Sequence, residues 1–509
     1  MVTAISEQPI VASRLVLIDN LLEAFHKHGI NYCHWKSSEH LAASMTADTD
    51  LDVLFDQGQK EQLEQLLDHL GFKRFVSIPQ KQYRDIEDFI GIDLGSGKVV
   101  HLHAHFRMTL GEAYLKSYQL DIEEQILATK VYDETFGIYR SSPAFELVLL
   151  FFREALKLRT RDMISLYLRG RVNCSRNSVN EYRWLRERCT NEEVAAVLQL
   201  LFPDYRPVYE LVTGPFNRKQ LMKLAVIIKA KYKDSRQYSA LGARLVRWYR
   251  EVSVKAYRKL SKLLHRPIIA QRVNPRGGLV IALVGADGSG KSTVSANLKA
   301  TFRKKLDVYN IYFGRGDGRM SPARKALLFF KKLLVKPKKG GQDLQSLQKG
   351  SGGKKGFVAT MFKCIEAVMV ANEKRKNLKL MQAARSKGML VICDRFPQNQ
   401  IKGYNDGPLL HYLAASRNPL FRALAKWEEG VYHRAVNTPP DLLFKLIAEA
   451  DVVEARKPGE TSREMLVAKI NGVKQMKLGA GCHVVTVDSS QPLEEVLALV
   501  KKEIWKAYR

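Results

Sequence analysis

The chain has 509 residues, of which 46% are hydrophobic, so it has material for about three folded domains. Its 82 lysine and arginine residues outnumber its 52 aspartate and glutamate residues, which gives a formal net charge of +30. This surplus favours an anionic partner such as a nucleotide, nucleic acid, acidic glycan or lipid headgroup, and no uninterrupted apolar run is long enough to span a membrane.

Cysteine usage and the first residues predict a cytoplasmic protein. The six cysteines are scattered and none belongs to a Cys-x-x-Cys pair, so neither a disulfide framework nor a zinc site is indicated. The opening stretch MVTAISEQPIVASRLVLIDN lacks the basic segment followed by an apolar core that a signal peptide has. We therefore expect the chain to work in a reducing compartment.

The first predicted domain covers residues 12–135 and has an α+β pattern. RLVLIDNLLEAFHKHGI has the apolar spacing of an amphipathic helix that ends at Gly29. NYCHWK and DLDVLF are typical of short strands, and QKEQLEQLLDHLGF is typical of a helix that ends at Gly71. DFIGIDLGSGKVVHLHAHF predicts a β-hairpin with GSG at its turn.

A pair of acidic residues marks this first domain. Asp50 and Asp52 lie two positions apart on a predicted strand, so their side chains point to the same face. Two such carboxylates can hold a pair of Mg²⁺ ions about 3.5–4 Å apart for phosphoryl or nucleotidyl transfer. The stretch resembles the nucleotidyltransferase superfamily, in which a strand and a small polar turn precede Asp-x-Asp on the next strand. By that resemblance Asp50 and Asp52 are metal ligands, in a domain that is either active or a degenerate, substrate-holding copy.

Two features depart from that resemblance. Lys-Ser-Ser at 36–38 stands where the superfamily has Gly-Ser, and histidines stand where a third carboxylate is expected, with Asp93 as a nearby substitute. His101, His103 and His105 alternate, so they share one strand face as metal ligands would. An ordinary polar sheet face has the same pattern, and the sequence leaves both interpretations open.

The second predicted domain covers residues 140–270 and is an almost wholly helical, basic connector. LVRWYREVSVKAYRKLSKLLHR carries an apolar stripe with arginines and lysines around it. The stripe consists of Leu245, Trp248, Val252, Ala256, Leu260 and Leu263. Such a helix can lie on the anionic inner membrane surface, or it can pack its stripe on a neighbouring domain and expose its charge. Nucleic acid is the less favoured partner, because no recognition motif accompanies the charge.

The third predicted domain covers residues 277–509 and alternates strand-like and helical segments. Five apolar runs, LVIALVG, VYNIYFG, MLVICD, DLLFKLIA and HVVTVD, are separated by helical stretches. This alternation predicts an α/β fold in which helices cover both faces of a doubly wound parallel sheet. A basic insert at 319–356 interrupts it; ARKALLFFKKLLVKPKK, at 323–339, repeats the basic amphipathic pattern, and 336–356 is predicted to be a flexible loop.

A phosphate-binding loop is predicted between the first of these strands and the helix after it. GADGSGKS has the P-loop spacing of two glycines followed by Lys-Ser. Glycines let backbone N–H groups turn toward phosphate oxygens, and the following helix presents its positive end to them. Lys291 would reach the β- and γ-phosphates of ATP, and Ser292 would help to hold Mg²⁺. The predicted cofactor-binding residues are Gly285, Asp287, Gly288, Ser289, Gly290, Lys291, Ser292 and Thr293.

Charged residues after two later strands complete the predicted site. Asp394 and Arg395 follow MLVICD, and the C-terminal ends of neighbouring parallel strands face one crevice. Asp394 would organise Mg²⁺, and Arg395 would bind a phosphate with its planar guanidinium. Arg456, in a polar stretch with Lys457 and Arg463, would stabilise charge on the transferred phosphoryl group, although a solvated helix has the same composition.

Together these motifs resemble the thymidylate kinase family over residues 278–509. The loop reads Gly-x-Asp-Gly-x-Gly-Lys-Ser-Thr, VICDRF matches the family's Asp-Arg-aromatic motif, and PPDLLFKLIAEADVVEARK matches its later strand and arginine-bearing lid. VVTVDSSQPLEEVLALVKKEI resembles its terminal strand and helix, whose connecting loop usually lies by the adenine. The resemblance implies that Lys291 and Ser292 bind ATP and Mg²⁺. It also implies that Asp287 and Arg395 face the acceptor and that Arg456 is the lid arginine.

The leading functional hypothesis is an ATP-dependent kinase with the catalytic residues Lys291, Asp394, Arg395 and Arg456. DRFPQNQIKGYNDGP lacks a recognisable base-binding pattern, so the acceptor is either thymidylate or a related phosphorylated or sugar compound. A nucleotidyltransferase and kinase fusion in bacterial surface-polysaccharide assembly is one alternative. A nucleotide-gated regulatory or binding protein is another, and a homodimer is also considered.

Overall fold

The computed structural model describes residues 14–159, 174–315, 324, 354–459, 461–479 and 481–508. The chain packs as two units, Met1–Lys262 and Leu263–Arg509, and both mix helices with strands. The boundary between the units lies close to the predicted start of the third domain. Residues 12–135 and most of 140–270 therefore belong to one unit by packing.

The strands of the first unit form one mixed sheet and one separate hairpin. Their bounds are β1 (Tyr32–His34), β2 (Leu51–Phe55), β3 (Lys73–Ser77), β4 (Ile86–Ile92), β5 (Val99–His105), β6 (Met108–Leu110), β7 (Tyr118–Leu120), β8 (Val131–Asp133) and β9 (Ile138–Arg140). The sheet has the order β3–β4–β5–β2–β1–β9–β8, with β2 parallel to β5 and β1 parallel to β9. β6 and β7 form a separate antiparallel hairpin, and Tyr118 of β7 also bridges to Arg236. The antiparallel β4–β5 hairpin confirms the predicted one and pairs Asp88 with His103.

Ten helices of this unit lie within the described residues. They are α1 (Val16–Lys27), α2 (Leu41–Met45), α3 (Lys60–His69), α4 (Glu123–Ala128), α5 (Pro143–Lys157), α6 (Arg176–Arg186), α7 (Asn191–Leu201), α8 (Arg206–Thr213), α9 (Arg218–Lys231) and α10 (Ala240–Leu263). The apolar faces of α1 and α3 bury Phe25 and Leu63 in one core with Val53 of β2 and Leu102 of β5. This core fixes β2 and β5 side by side.

Helix α5 is the centre of a second core. Its sequence FELVLLFF has no polar face, and all of these side chains are buried. Ser142 caps the helix by accepting a hydrogen bond from the Phe145 N–H at 3.2 Å, and Pro143 occupies its first position. Cys33 and Trp35, in and just after β1, pack in the same core as residues of α6 to α9. The predicted connector helices thus share their hydrophobic core with strands of the predicted front domain.

Helix α10 contains the predicted basic apolar stripe, and most of that stripe is exposed. The apolar residues exposed here are Leu241, Leu245, Trp248, Tyr249, Val252, Leu260 and Leu263. The opposite side contacts its own unit through ion pairs and hydrogen bonds, such as Arg250 Nη1 to the Tyr114 carbonyl oxygen at 3.1 Å. Among the helices that the structure describes, none is both long and apolar enough to cross a membrane.

A five-stranded parallel sheet is the centre of the second unit. After the short β10 (Arg272–Val273), its strands are β11 (Leu279–Gly285), β12 (Val308–Tyr312), β13 (Leu390–Asp394), β14 (Leu442–Ile447) and β15 (His483–Asp488). Their order is β12–β13–β11–β14–β15. β11 is therefore the middle strand, and its two neighbours, β13 and β14, both come later in the chain. All five correspond to the predicted apolar runs. The crevice at the C-terminal end of β11 is where such sheets bind ligands.

Six helices of the second unit connect these strands in the part of the chain that is described. They are α11 (Lys291–Phe302), α12 (Lys354–Arg385), α13 (Pro419–Asn437), α14 (Ala450–Arg456), α15 (Arg463–Gln475) and α16 (Leu493–Ala507). The predicted flexible insert at 319–356 and the basic segment at 323–339 lie outside the described residues, apart from Arg324 and the start of α12. Arg324 donates a hydrogen bond to Glu373 at 2.9 Å.

Candidate functional site

The loop between β11 and α11 is tight and depends on glycine. Gly288 and Gly290 have φ angles of 89° and 87°, in the left-handed region that favours glycine. A Cβ atom at Gly285 would lie 2.3 Å from Ser289 Oγ and 2.6 Å from the Leu446 carbonyl oxygen. The glycine spacing recognised in the sequence therefore corresponds to positions where a side chain would be strained or would not fit.

Lys291 is the first residue of α11, and its ammonium group is folded into the loop. Its Nζ donates hydrogen bonds to the carbonyl oxygens of Gly285 at 3.0 Å and Ala286 at 2.6 Å. The side chain is buried, and burial together with the nearby charge of Arg395 lowers the pKa of Lys291 to about 8. A buried cation therefore lies directly under the loop.

Ser292 and Asp394 meet across the C-terminal ends of two strands. β11 and β13 are paired so that Leu283 lies opposite Asp394, the last residue of β13. Ser292 Oγ donates a hydrogen bond to Asp394 Oδ2 at 3.0 Å. The second carboxylate oxygen, Oδ1, is buried without a hydrogen-bond partner among the described residues. A hydroxyl beside a carboxylate is an oxygen donor set that suits Mg²⁺.

Arg395 and Asp287 form the charged wall of the same loop. Arg395 Nη2 donates to Asp287 Oδ1 at 2.6 Å, and Arg395 Nη1 lies 3.4 Å from Asp406 Oδ2. Lys469, on α15, donates to Asp287 Oδ2 at 2.9 Å. Burial alone would raise the pKa of Asp287, but the charges of Arg395 and Lys469 and their hydrogen bonds bring it well below its usual range. Asp287 is therefore a carboxylate between two cations.

Arg395 also has an unusual backbone conformation. Its φ angle is 70°, which is uncommon for a residue with a large side chain. The strain is supported by tertiary contacts, because the Arg395 N–H donates to the Leu283 carbonyl oxygen at 3.0 Å. Strained residues of this kind are concentrated at binding and catalytic sites.

A cavity of about 400 Å³ joins these residues to the predicted lid and terminal loop. Its wall includes Gly288, Lys291, Arg395, Arg456, Lys457, Ser489 and Gln491. Arg395 follows β13, Arg456 is the last residue of α14 after β14, and Ser489 and Gln491 follow β15. Together with the loop after β11, four strand ends therefore contribute to one cavity. A larger cavity of about 690 Å³ lies at the opposite ends of β11 and β14, and none of the predicted site residues lines it.

The first unit contains a second cluster of charged side chains. Asp50 Oδ1 lies 2.9 Å from His101 Nδ1, and the other ring nitrogen of His101 lies 2.8 Å from Asp88 Oδ1. Asp52 Oδ1 lies 2.7 Å from His103 Nδ1. The structure therefore brings the two predicted carboxylates together with the alternating histidines of β5.

Asp88 is the residue of this cluster that the sequence analysis missed. The predicted substitute, Asp93, lies in the hairpin turn, where its carboxylate accepts hydrogen bonds from the backbone N–H groups of Leu17 and Ser96. Asp88 faces the cluster because antiparallel pairing places it opposite His103. Counting opposed residues along the two strands, starting from the predicted turn, would have identified Asp88 as the partner of His103.

Two lysines lie near the carboxylates of this cluster. Lys36 Nζ is 3.0 Å from Asp52 Oδ1. Burial alone would raise the pKa of Asp52, but Lys36 and the hydrogen bond from His103 bring it well below its usual range. Burial and the charge of Lys36 lower the pKa of Lys116 to about 8. This cluster differs in composition from a set of carboxylates around Mg²⁺.

Comparison with known proteins finds distant relatives. No protein-family model matches the chain. It is 28% identical over 231 residues to the uncharacterized ATP-binding protein YghR of Escherichia coli K12, a match that covers 44% of this chain and 86% of YghR. It is 27% identical over 219 residues to the uncharacterized ATP-binding protein YghS of the same strain, covering 43% of this chain and 89% of YghS.

Proposed function

We propose that the second unit binds ATP with Mg²⁺ and transfers its γ-phosphoryl group to an acceptor. The observation that carries this proposal is the hydrogen bond from Ser292 to Asp394, 3.0 Å long, beside the buried Lys291. A hydroxyl, a carboxylate and a lysine at the C-terminal ends of parallel strands are the groups that ATP-dependent phosphoryl transfer requires. The two E. coli relatives are named as ATP-binding proteins, which supports ATP as the nucleotide.

Each site residue has a role in this proposal. The backbone N–H groups of the loop and Lys291 bind the phosphates, while Ser292 and Asp394 hold Mg²⁺. Arg395 positions the acceptor, and Arg456 stabilises the charge on the phosphoryl group during transfer. The bond from the γ-phosphorus to the bridging oxygen breaks, a bond to an acceptor oxygen forms, and ADP leaves. The protein contributes positioning and electrostatics, because the chemistry needs no covalent intermediate.

The acceptor is proposed from the resemblance to the thymidylate kinase family and from the charges of the site. Arg395 and Lys469 are held near Asp287 and supply two cations to the charged wall next to the loop. Such a wall suits an acceptor that carries a phosphate, such as a nucleoside monophosphate or a sugar phosphate.

A screen of acceptors tests the proposed reaction. The full chain is incubated with Mg·ATP and single nucleoside monophosphates, sugars or sugar phosphates, and ADP release is measured. We expect one acceptor class to raise ADP release well above the rate with ATP alone. If the chain binds ATP but no acceptor changes its slow hydrolysis, the result favours the alternative of a nucleotide-gated binding protein.

The affinity for Mg·ATP is expected to fall as the pH rises above about 8. The free protein loses the Lys291 proton near this pH, since burial lowers the pKa of Lys291 to about 8. Phosphates favour the protonated ammonium, so they raise its pKa on binding and cause proton uptake in the alkaline range. Calorimetry in two buffers of different ionisation enthalpy measures both the affinity for Mg·ATP and the number of protons taken up on binding. An affinity that stays constant or increases through this pH range would contradict the prediction.

We propose that α10 attaches the chain to an anionic membrane surface. Its exposed stripe includes Trp248 at 65% and Leu245 at 68% exposure, and its exposed basic residues include Lys255 and Lys259. An apolar face with an aromatic residue and flanking cations is typical of helices that lie in the lipid headgroup region. This attachment would bring the kinase to lipid-linked or membrane-associated acceptors at the cytoplasmic side.

Flotation with lipid vesicles tests this attachment. The full chain is expected to float with vesicles that contain an anionic lipid, and the Leu245→Glu/Trp248→Glu variant is expected to remain largely in solution. Leu200→Glu is the matched control, because Leu200 is an exposed leucine on α7, outside the stripe. Equal flotation of all three proteins, or flotation that disappears completely at moderate salt, would contradict insertion of the stripe.

For the first unit we propose a nucleotidyltransferase-like fold without assigning nucleotidyl transfer to it. Strand β2 begins directly after Asp50 and carries Asp52, and Asp88 on β4 supplies a third carboxylate, which supports the resemblance. However, Lys36 and histidines contact these carboxylates. Nucleotidyl transfer by this unit, with Mg²⁺ at Asp50 and Asp52, stays a prediction, which loss of labelled-nucleotide transfer in an Asp50→Asn/Asp52→Asn variant would support.

A further inference from the structure

Three side chains of the first unit bring metal-binding atoms close together. They are Asp52 on β2 and His103 and His105 on β5, and we call them the histidine–aspartate cluster. His103 Nδ1 lies 2.7 Å from Asp52 Oδ1 and 3.3 Å from His105 Nε2, and His105 Nε2 lies 3.9 Å from Asp52 Oδ1. These three atoms lie within 4.8 Å of one another, so one ion could contact all of them.

We propose that the histidine–aspartate cluster binds one divalent first-row transition-metal ion of the zinc type. Two imidazole nitrogens and one carboxylate oxygen suit zinc, whereas Mg²⁺ and Ca²⁺ prefer oxygen ligands throughout. In a tetrahedral zinc site with bonds of about 2.0–2.1 Å, ligand atoms are separated by about 3.3 Å. The three observed separations lie on both sides of that value, so small side-chain rotations would complete the geometry.

Neighbouring side chains support the orientation of the ligands. His103 Nε2, the ring nitrogen not used for the metal, lies 4.0 Å from Asp88 Oδ1. The same Asp88 oxygen lies 2.8 Å from the buried His101. The Trp35 ring packs edge-on against His105 with the ring centroids 5.1 Å apart. Metal-binding histidines usually have a carboxylate beside the second ring nitrogen, and Asp88 is placed to fill that role.

Strand pairing builds the cluster from backbone geometry. β5 is paired with β2 on one side and with β4 on the other, and His103 is opposite both Asp52 and Asp88. His105 lies two residues further along β5, on the same face as His103. The ligands therefore belong to adjacent strands of one sheet, which holds them more firmly than a loop would.

The cluster supplies three ligands and leaves a fourth position. The side chains of Asp52 and His103 are 13% and 18% exposed, so the cluster is not completely closed to solvent. Three protein ligands with a water or substrate oxygen in the fourth position are typical of catalytic rather than structural zinc sites. Lys36 Nζ now contacts Asp52 Oδ1 at 3.0 Å, and its partly exposed side chain can turn to solvent when an ion takes its place.

Calorimetric titration with zinc chloride tests the proposal on the full chain after treatment with a chelator. We expect one equivalent of zinc to bind. His103→Gln removes a ligand atom, so we expect it to lower the affinity by more than the loss of about 10–100-fold that follows removal of a residue that only orients a ligand. His69→Gln is the matched control, since His69 is an exposed histidine at the end of α3. Circular dichroism verifies that His103→Gln is folded, and the absorption of bound Co²⁺ in the visible range reports its coordination independently.

A second pair of variants separates this site from adventitious binding. Lys36→Gln removes the cation that competes for Asp52 and is expected to increase zinc affinity, and Asp88→Asn is expected to decrease it by about 10–100-fold. Lys291→Ala, in the second unit, should leave zinc affinity unchanged, so failure of the kinase proposal and failure of this one are distinguishable. Zinc affinity that is equal in wild type and His103→Gln, or the absence of zinc binding in the wild type, would overturn the proposal.

Discussion

Replacing Lys291 with alanine is expected to lower the rate of ATP-dependent phosphoryl transfer by about 10²–10³-fold or more, the usual cost of one preorganised charge-stabilising donor. The Lys291 ammonium is buried under the loop, within 3.0 Å of two loop carbonyl oxygens. Lys291 is the first residue of α11, so its ammonium group lies at the helix N-terminus where the phosphates are proposed to bind. The initial rate of ADP release with the acceptor found in the screen measures the loss.

The matched control for this variant is Lys304→Ala. Lys304 is exposed shortly after the end of α11, so the substitution removes the same charge from the same region without touching the loop. We expect Lys304→Ala to retain wild-type turnover. We also expect the free energy of unfolding of both variants to stay within about 1 kcal/mol of the wild-type value, because in the wild type the hydrogen bonds of Lys291 offset the cost of burying its charge. A Lys291→Ala variant with unchanged turnover would remove the basis of the kinase proposal.

Replacing Arg395 with alanine is expected to impair both turnover and stability. Arg395 lies between Asp287 and Asp406, whose side chains are 30% and 11% exposed. Its loss leaves two partly buried carboxylates close together, and we expect about 1–3 kcal/mol of lost stability, below the cost of breaking a fully buried pair. Turnover is expected to fall by at least about 10²-fold, because the acceptor loses a positioning cation. Urea unfolding and initial rates measure the two effects.

Two further variants distinguish the ion pair from a general effect of charge. Arg434→Ala removes an exposed arginine of α13 and should change neither measurement appreciably. A double-mutant cycle of Arg395→Ala with Asp287→Asn should give a coupling energy of about 0.5–3 kcal/mol, as expected for residues in contact. Additive effects of the two substitutions would show that the observed 2.6 Å contact contributes nothing to stability.

The parallel sheet of the second unit was predictable from the sequence because its central strands, β11, β13 and β14, are buried on both faces. Each strand is then a continuous apolar run, such as LVIALVG, bounded by turns and helices. In the first unit, the β4–β5 hairpin was predictable from its glycine turn. The packing of α5 against β1 could not be predicted, because it depends on contacts between segments that are far apart in the chain. The three-domain division itself stays a prediction.

The candidate site was partly predictable for a related reason. Gly285 to Thr293 are adjacent in sequence and follow a strand, and Asp394 ends another strand of the same sheet, so local pattern and sheet geometry suffice. Lys469 and Asp406 were missed because they contact Asp287 and Arg395 only through tertiary packing. In a chain with 82 basic residues, a helical lysine such as Lys469 has no local signal that marks it.

The exposed stripe of α10 shows another limit of sequence patterns. Its apolar spacing predicted an amphipathic helix correctly, but the same spacing is compatible with packing on protein or on lipid. The structure shows that Leu245, Trp248 and Leu260 are exposed, which the sequence could not determine. Whether a helix face is buried depends on which parts of the protein pack against it, and the sequence of the helix alone does not determine this.

Calorimetric titration of Mg·ATP into the full chain tests most directly whether the loop after β11 binds a nucleotide through its phosphates. We predict one binding site per chain, with similar affinity in wild type and Lys304→Ala and a strong loss of affinity in Lys291→Ala. The absence of binding heat in the wild type, or equal affinity in all three proteins, would contradict the assignment of this loop as the ATP site.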